Sequence, residues 1–288
     1  MITAIISGLA LGCVYGLVAI GFSMIFRAMG LVNFAQGDIL MLGAFLGYSL
    51  LRWAPAMPYL VVLLGAVALA GVVGYLLERI ALRPALRRNA GQTYLVLLTL
   101  GIGIILTNAA RLIWGANPVI YNIPLRNELI HVAGLALPAV YLYIGVGMLV
   151  ILFLLQRLFA GTWIGLSLRA VADDPQSARL MGISVTRASA SAFVIASMLG
   201  AAAGVFYAPL FYVSFDMGLI GIKAFAAAVV GGFGNIHGAV VGGLVIGLAE
   251  AVGGVFIGTE FQDSIAFGAM ILILLVFPKG LLGKGASA

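Results

Sequence analysis

The sequence predicts an all-α protein that crosses a membrane several times. Of its 288 residues, 64% are hydrophobic and only 8% are charged, and the mean hydropathy is +1.21. Soluble domains are about 45–50% apolar. The apolar residues also fall into runs of about 20 residues, the length that crosses the hydrocarbon core of a bilayer as a helix. We therefore expect a single transmembrane domain over residues 1–288, with about eight helices.

Eight apolar runs are long enough to cross the bilayer. They lie at 4–26, 34–51, 58–82, 93–113, 138–159, 190–212, 237–257 and 262–277. Residues 218–234 form a further apolar segment that is too short and glycine-broken for an ordinary span. We expect it to be either a short tilted crossing or a re-entrant piece, which is tolerated only where protein buries it or a cavity adjoins it. The N-terminus has no basic residue before Arg27 and no evident cleavage site, which predicts that 4–26 is a retained span.

Basic residues flank these runs asymmetrically, and this predicts the orientation. One side of the membrane would hold eleven of the fifteen Lys and Arg residues: Arg27, Arg79, Arg83, Arg87, Arg88, Arg157, Arg169, Arg179, Arg187, Lys279 and Lys284. The other side would hold Arg52, Arg111 and Arg126, with Lys223 unassigned. By the positive-inside rule the richer side is cytoplasmic, so the N-terminus lies outside. The C-terminus lies inside only if 218–234 completes a crossing. The same rule explains the net charge of +6 better than nucleic-acid binding does.

The longest polar insert in this apolar chain is Gly161–Arg187. Its middle predicts a short capped helix, with Asp174 as N-cap, Pro175 at the first helical position and Gly182 as the end. A helix of about two turns is unstable alone in water, because the nucleation cost is spread over too few hydrogen bonds. We therefore predict that another protein holds this helix on the cytoplasmic side.

Other sequence features narrow the class of protein. Residues 114–137 form the main external loop, with turn signals such as Asn117-Pro118 that predict order. The single cysteine excludes an internal disulfide. The chain has no hydrolase or transferase motif, no P-loop and no spacing typical of a metal site, so we expect no enzyme activity and no bound cofactor or metal.

Four polar residues lie within or beside predicted spans. Asn33, Gln36 and Asp38 are either solvated residues at a cytoplasmic hinge, or they line a cavity where a helix is broken at membrane depth. Glu250 lies inside the 237–257 run. A charge at the bilayer centre costs about 2.5–3.5 kcal/mol on insertion scales, so Glu250 should face protein, a partner or water. All four are candidates for a translocation path.

Glycines recur at helical spacing in several runs. Gly8, Gly12 and Gly16 are four residues apart, and so are Gly43 and Gly47. Missing side chains on one helix face allow close helix packing. This packing is either within one subunit or between subunits.

Several longer motifs, in order, match a known family. They are VNFAQGDILMLGAF at 32–45, RPALRR at 83–88, RAVADDPQSARLMGI at 169–183, AAVVGGFGNIHGAVVGG at 227–243 and FPKGLL at 277–282. Over essentially its whole length the chain resembles the permease subunits of ABC importers for branched-chain amino acids. It is most similar to the eight-span member of the permease pair.

The resemblance implies a role for the polar insert. Residues 161–189 would be the coupling loop, which docks a short helix (174–182) into a groove of an ATPase subunit. The implied contact residues are Arg169, Ala170, Asp174, Ala178, Gly182 and Ile183. The insert lacks the Glu-Ala-Ala triplet of other ABC permeases, which leaves the docking detail open.

The resemblance also implies partners and a location. The partners are ATPase subunits that bind the ATP, a second related permease, a periplasmic substrate-binding protein, membrane lipid and a small-molecule substrate, and the location is the bacterial inner membrane. Related permeases carry other amino acids, amides or urea, so the solute stays open. The alternative is an autonomous ion-coupled transporter or channel, which needs paired ionisable groups in the membrane. Glu250, Lys223 and Asp38 are the available groups.

Overall fold

The computed structural model describes residues 1–283, apart from 89, 122, 124–128 and 133–134. Twelve α-helices form within this part: α1 Ile2–Met29, α2 Gln36–Trp53, α3 Tyr59–Leu77, α4 Arg83–Arg87, α5 Gln92–Trp114, α6 Ala139–Gly161, α7 Trp163–Asp173, α8 Pro175–Leu180, α9 Val185–Tyr207, α10 Ile220–Gly231, α11 Ile236–Phe256 and α12 Gln262–Val276. A π-helical turn (Glu78–Leu82) joins α3 to α4. Two 3₁₀ turns, Phe215–Leu219 and Thr259–Phe261, precede α10 and α12.

The predicted spans are confirmed as helices, and seven helices of the described chain are long and apolar enough to cross a membrane. The one predicted span that is not among these seven is α2. Its 18 residues include Gln36, Asp38 and Arg52, so it is less apolar than the other spans. The largest shift is in α9, which begins and ends about five residues earlier than the apolar run suggests. Ser184 causes this early start, because its side chain caps the helix by accepting a hydrogen bond from the backbone N–H of Arg187.

The segment predicted at 218–234 is a half-crossing. Helix α10 has 12 residues and is about 18 Å long, against a hydrocarbon thickness of about 30 Å. The turn that follows α10 reaches the end of α1, where Phe26 and Phe233 pack edge to face with ring centroids 4.6 Å apart. The backbone carbonyl of Val230 accepts a hydrogen bond from Leu281. Residues 208–231 thus return the chain across the bundle, and the C-terminal tail lies on the same face as residues 161–189.

Helix α1 is the centre of the bundle and packs against α11 over most of its length. Methyl groups built at Gly8 and Gly12 would meet the backbone of α11 at Leu248 and Leu244 within about 3 Å. Gly43 of α2 lies equally close to Ala201 of α9. Small residues let membrane helices approach until their backbones touch. The glycine repeats of the sequence therefore serve packing within this chain.

The loop on the side of the bundle opposite residues 161–189 contains a short β-hairpin that the sequence did not predict. Strands Leu129–Val132 (β1) and Leu135–Pro138 (β2) pair antiparallel, with Leu129 opposite Pro138. Val119 forms an isolated bridge to Val213. The Tyr121 hydroxyl donates a 3.1 Å hydrogen bond to the carbonyl of Ala44. These contacts order the described part of the loop against the bundle, and the rest of the predicted external loop lies outside the described residues.

Candidate functional sites

The polar insert folds as two helices where the sequence predicted one. Thr162 caps α7, because its hydroxyl accepts a 3.1 Å hydrogen bond from the backbone N–H of Gly165. Gly165, Leu168 and Val171 are buried at intervals of three residues, so this face packs on the bundle. Trp163 and Arg169 lie on the exposed side. The apolar face of α7 fixes the insert to the membrane domain.

The predicted capped helix is confirmed as α8. Asp174 accepts a 2.8 Å hydrogen bond from the backbone N–H of Gln176 and a second one from the Ser177 hydroxyl. These bonds, the Ser177 hydroxyl first, hold the pKa of Asp174 below its usual value. Gly182 ends the helix with φ 81, in the left-handed region that favours glycine. Helix α8 is thus a short capped rod that is exposed except at Ala178.

The tip of this rod carries two large apolar side chains in the open. Leu180 is 88% exposed and Met181 is 82% exposed. Isolated exposed apolar residues are common, but two adjacent ones at the end of a six-residue helix form a compact patch suited to a partner protein. Neither residue was predicted from the sequence as a contact residue. Their signal was an apolar pair at the end of an otherwise polar helix.

The predicted contact residues differ in exposure. Arg169, Asp174 and Gly182 are exposed, whereas Ala170 and Ile183 are half-buried. Ala178 is only 4% exposed and belongs to the main apolar core, so its methyl group faces the bundle. Ala178 therefore has almost no exposed surface in this structure that an ATPase subunit could contact. The roles of the other five stay predictions.

A second site lies where α2 begins. Asn33 and Gln36 are fully buried, and Gln36 Nε2 donates a 2.8 Å hydrogen bond to the carbonyl of Ala196. Ala196 is the twelfth of the 23 residues of α9, which places Gln36 near mid-depth. The interpretation as solvated hinge residues is therefore wrong. Residues 30–35 instead turn back into the bundle, and whether they line a cavity at membrane depth stays a prediction.

Asp38 lies between two breaks in the helices, one before α2 and a second one before α10. Its Oδ1 accepts a 2.8 Å hydrogen bond from the Thr107 hydroxyl of α5. A methyl group at Gly218, in the 3₁₀ turn, would lie 2.6 Å from the same carboxylate. Gly37 and Gly221 are in contact beside it. Two helices thus begin close together inside the bundle, where their positive N-terminal ends favour a carboxylate. Whether solute passes here stays a prediction.

Glu250 is the centre of a third polar site. Its side chain is almost completely buried and accepts a 2.8 Å hydrogen bond from the Tyr15 hydroxyl of α1. Lys223 of α10 lies 2.7 Å from Glu250 and 2.6 Å from Asp263 of α12. This confirms that Glu250 faces protein. Lys223, which the sequence assigned to neither side of the membrane, thus contacts partners that are 27 and 40 residues away along the chain.

These features indicate the class of protein to which the chain belongs. The described chain is a multi-pass membrane bundle with breaks at mid-depth and a polar two-helix insert on one face, and the sequence has no motif for binding ATP. Among the described residues no three His, Cys, Asp or Glu side chains cluster as a metal site would. Helices broken at mid-depth are typical of transport proteins.

Comparison with known proteins gives the family. Residues 4–275 match the family described as the branched-chain amino acid transport system, permease component, and the chain belongs to it. It is 33% identical to the high-affinity branched-chain amino acid permease protein LivH of Salmonella typhimurium, over 96% of this chain and 94% of that protein. It is also 33% identical to BraD of Pseudomonas aeruginosa, over 97% and 95%. A probable LivH protein of Methanocaldococcus jannaschii is 28% identical over 93% and 88%.

Proposed function

We propose that this chain is a permease subunit of an ABC importer for branched-chain amino acids in the bacterial inner membrane. Family membership supports the transport role, and the names of LivH and BraD support the solute class. The observation that carries the mechanism is the exposed Leu180–Met181 pair at the end of α8. An apolar tip on a short rod requires a partner surface, and an ATPase subunit supplies it. ATP is bound by that subunit and not by this chain.

The coupling step follows from how the rod is attached. Helix α7 packs on the bundle, and Arg27 at the end of α1 lies 3.6 Å from Asp173, the residue before the α8 cap. Helix α9 begins three residues after Gly182. A push on α8 therefore reaches α1 and α9, the two most buried helices that cross the bundle. Rigid displacement of these helices is the movement that alternating access needs.

Two further partners complete the proposal. A second, related permease would cover exposed apolar helices at the rim of the bundle. A periplasmic substrate-binding protein would dock at the external loop, 114–137, and select the solute. Few side chains of the spans are polar, which is consistent with selection outside this chain.

A disulfide crosslinking experiment tests the docking. Cys13 is replaced by Ala, and Met181→Cys is paired with a cysteine in the groove of the cognate ATPase. We expect a crosslink whose yield changes with nucleotide, because an exposed tip seated in a moving subunit changes distance. Ala178→Cys is the matched control, since it lies three residues away on the same helix but faces the bundle. Equal yields at both positions, or no crosslink at Met181 in any nucleotide state, would exclude docking through the tip.

The contacts of the buried Glu250 with Tyr15 and Lys223 favour the second candidate function, an autonomous ion-coupled transporter, because paired ionisable groups in a membrane mark ion pathways. The test is uptake by the purified chain alone in liposomes under a proton or sodium gradient. We expect no uptake of branched-chain amino acids until ATPase and binding protein are added with ATP. Gradient-driven uptake by the chain alone would replace the importer proposal.

A further inference from the structure

Four arginines crowd one end of the third crossing. Arg79, Arg83, Arg87 and Arg88, the arginine stripe, lie on the π-helical turn and α4, directly after α3. With Pro84 they line a cavity of about 410 Å³. Helix α3 has 19 residues and is about 28 Å long, close to the thickness of the hydrocarbon core. The arginine stripe therefore begins at the depth of lipid phosphates on the coupling face.

The positive charge of the arginine stripe is poorly compensated within the described chain. Arg83 lies 3.3 Å from a carboxylate oxygen of the fully buried Glu78, which neutralises one of the four charges. Arg79 is bonded to the neutral Tyr75 hydroxyl at 2.7 Å. No carboxylate of the described residues lies within ion-pair distance of Arg79, Arg87 or Arg88. Three like charges beside one cavity repel each other unless an anion lies between them.

An exposed apolar surface continues the arginine stripe toward the membrane centre. Val72, Leu76 and Ile80 are exposed and spaced four residues apart, so they share one helix face. Arg79, Arg83 and Arg87 follow the same spacing and extend this face beyond the hydrocarbon core. A ligand that matches both parts has an anionic head and a hydrocarbon chain. Free phosphate matches only the head.

We propose that the arginine stripe and the apolar face of α3 bind an anionic glycerophospholipid from the leaflet on the coupling side. Clusters of four or more basic residues next to a transmembrane helix typically attract anionic lipids. The phosphate lies between Arg79 and Arg87, which have no carboxylate partner among the described residues, and an acyl chain follows Leu76 and Val72 toward the membrane centre. Arg87 also lines a second cavity of about 570 Å³, together with Pro175 and Arg179 of α8. The bound lipid would therefore adjoin the coupling helix, although its binding does not depend on the proposed function.

Native mass spectrometry of the purified full-length chain tests the site by titration with phosphatidylglycerol. We expect tight retention of phosphatidylglycerol and weak retention of phosphatidylcholine. The double variant Arg79→Gln/Arg87→Gln should bind phosphatidylglycerol about 30-fold more weakly, because each basic side chain near an anionic lipid contributes about a factor of five. Arg52→Gln/Arg187→Gln is the matched control, with the same loss of charge elsewhere, and should bind as the wild type does.

Two further measurements distinguish the lipid from other occupants. Leu76→Asn places an amide on the acyl path and should weaken phosphatidylglycerol binding while all arginines remain. Inorganic phosphate at equal concentration should not displace the lipid. Equal phosphatidylglycerol affinity in the arginine variant and its control would overturn the proposal, as would displacement by phosphate. Loss of lipid when a second permease binds, with the partner seated on α3, would assign this face to a protein interface instead.

Discussion

The central and the peripheral helices of this bundle are stabilised in different ways. In the most apolar part of α1 and of α9, 78% of the residues are buried within the chain, against 22% for α5 and 6% for α12. The central helices meet through glycine and alanine at backbone distance, and hydrogen bonds of Gln36 and Glu250 join them. The peripheral helices instead direct large side chains such as Leu97, Leu149 and Leu272 outward.

The positions of the central helices are thus fixed by contacts within the chain, whereas those of the peripheral helices also depend on lipid or a partner subunit. Lipid is as apolar as leucine, so burial of large side chains gives little driving force between helices in a membrane. Close contact and polar bonds between helices therefore fix the centre. The peripheral helices are matched to lipid or to a second subunit. The same amino-acid change should have opposite consequences in the two regions.

The largest effect is expected from removing the buried positive charge. Lys223→Met leaves the Glu250 carboxylate buried with only the Tyr15 hydroxyl as partner, and breaking a buried ion pair in this way costs about 3 kcal/mol. Thermal unfolding of the purified chain in detergent measures the change. Lys223→Met/Glu250→Gln should recover most of the loss. Asp263→Asn is the peripheral counterpart, and because Asp263 is 72% exposed we expect a cost below about 1 kcal/mol. Equal losses for Lys223→Met and Asp263→Asn would remove the distinction between centre and periphery.

A single methyl group should have the next largest effect. In Gly43→Ala the new carbon would lie 2.6 Å from the Ala201 methyl group and closer still to the Ala201 backbone, so α2 and α9 must separate. We expect destabilisation of about 2 kcal/mol. Gly101→Ala on α5 is the matched control, because no atom lies within 4 Å of the added methyl group. This control should be stabilised by about 0.5–1 kcal/mol through its helix propensity. Thermal unfolding measures both variants, and a loss at Gly101 as large as that at Gly43 would contradict close packing as the cause.

The sequence predicts the spans better than the contacts between them. Apolar length alone locates every predicted crossing, because a bilayer of fixed thickness selects that length. Capping chemistry locates α8, since Asp174, Pro175 and Gly182 act locally. Helix α7 was missed because its buried residues, Gly165, Leu168 and Val171, are embedded in a polar segment that looks like a loop.

The candidate sites were harder to predict, because tertiary contacts create them. Tyr15 and Glu250 are 235 residues apart, and Asp38 and Thr107 are 69 residues apart. No local pattern announces such a pair. The depth of Gln36 likewise follows from its bond to Ala196. Polar residues in an apolar chain thus show that a site exists, while the packed bundle shows what each residue contacts.

The proposed coupling loop, residues 161–189, belongs to neither region, and its Asp174 cap should affect transport more than stability. Asp174→Ala removes the acceptor for Gln176 and Ser177, so α8 should fray and ATP-driven uptake in proteoliposomes should fall several-fold. Asp174→Asn keeps an N-cap and should transport nearly as the wild type does. Thermal unfolding of the bundle should change little in either variant. An Asp174→Ala chain with normal uptake would show that the cap has no part in coupling.

The pH dependence of this cap has a defined sign. The pKa of Asp174 is lowered in the folded chain by the Ser177 and Gln176 hydrogen bonds, so its stabilisation of α8 is fully present above the unfolded value of about 4. It is lost as the pH falls through the lower folded value. Uptake should therefore not depend on Asp174 ionisation between about pH 5 and 8. Below about pH 4 the helix should fray in the wild type but not in Asp174→Asn, as amide hydrogen exchange of residues 175–180 would measure.

The smallest change in stability is expected from substitutions on the peripheral helices. Co-purification with the second permease is measured for the same variants, and the two results together are informative. Leu97→Ala, Leu149→Ala and Leu272→Ala remove exposed side chains from α5, α6 and α12, so each should change the unfolding free energy by less than about 0.5 kcal/mol. Leu17→Ala, at a fully buried position of α1, should cost about 3 kcal/mol. Co-purification with the second permease then shows which of the three helices pack on that partner and which face lipid. A helix that packs on the partner should lose assembly without losing stability, whereas a helix that faces lipid should lose neither. A loss of stability at all three positions, comparable to that of Leu17→Ala, would mean that the peripheral helices are fixed within the chain after all.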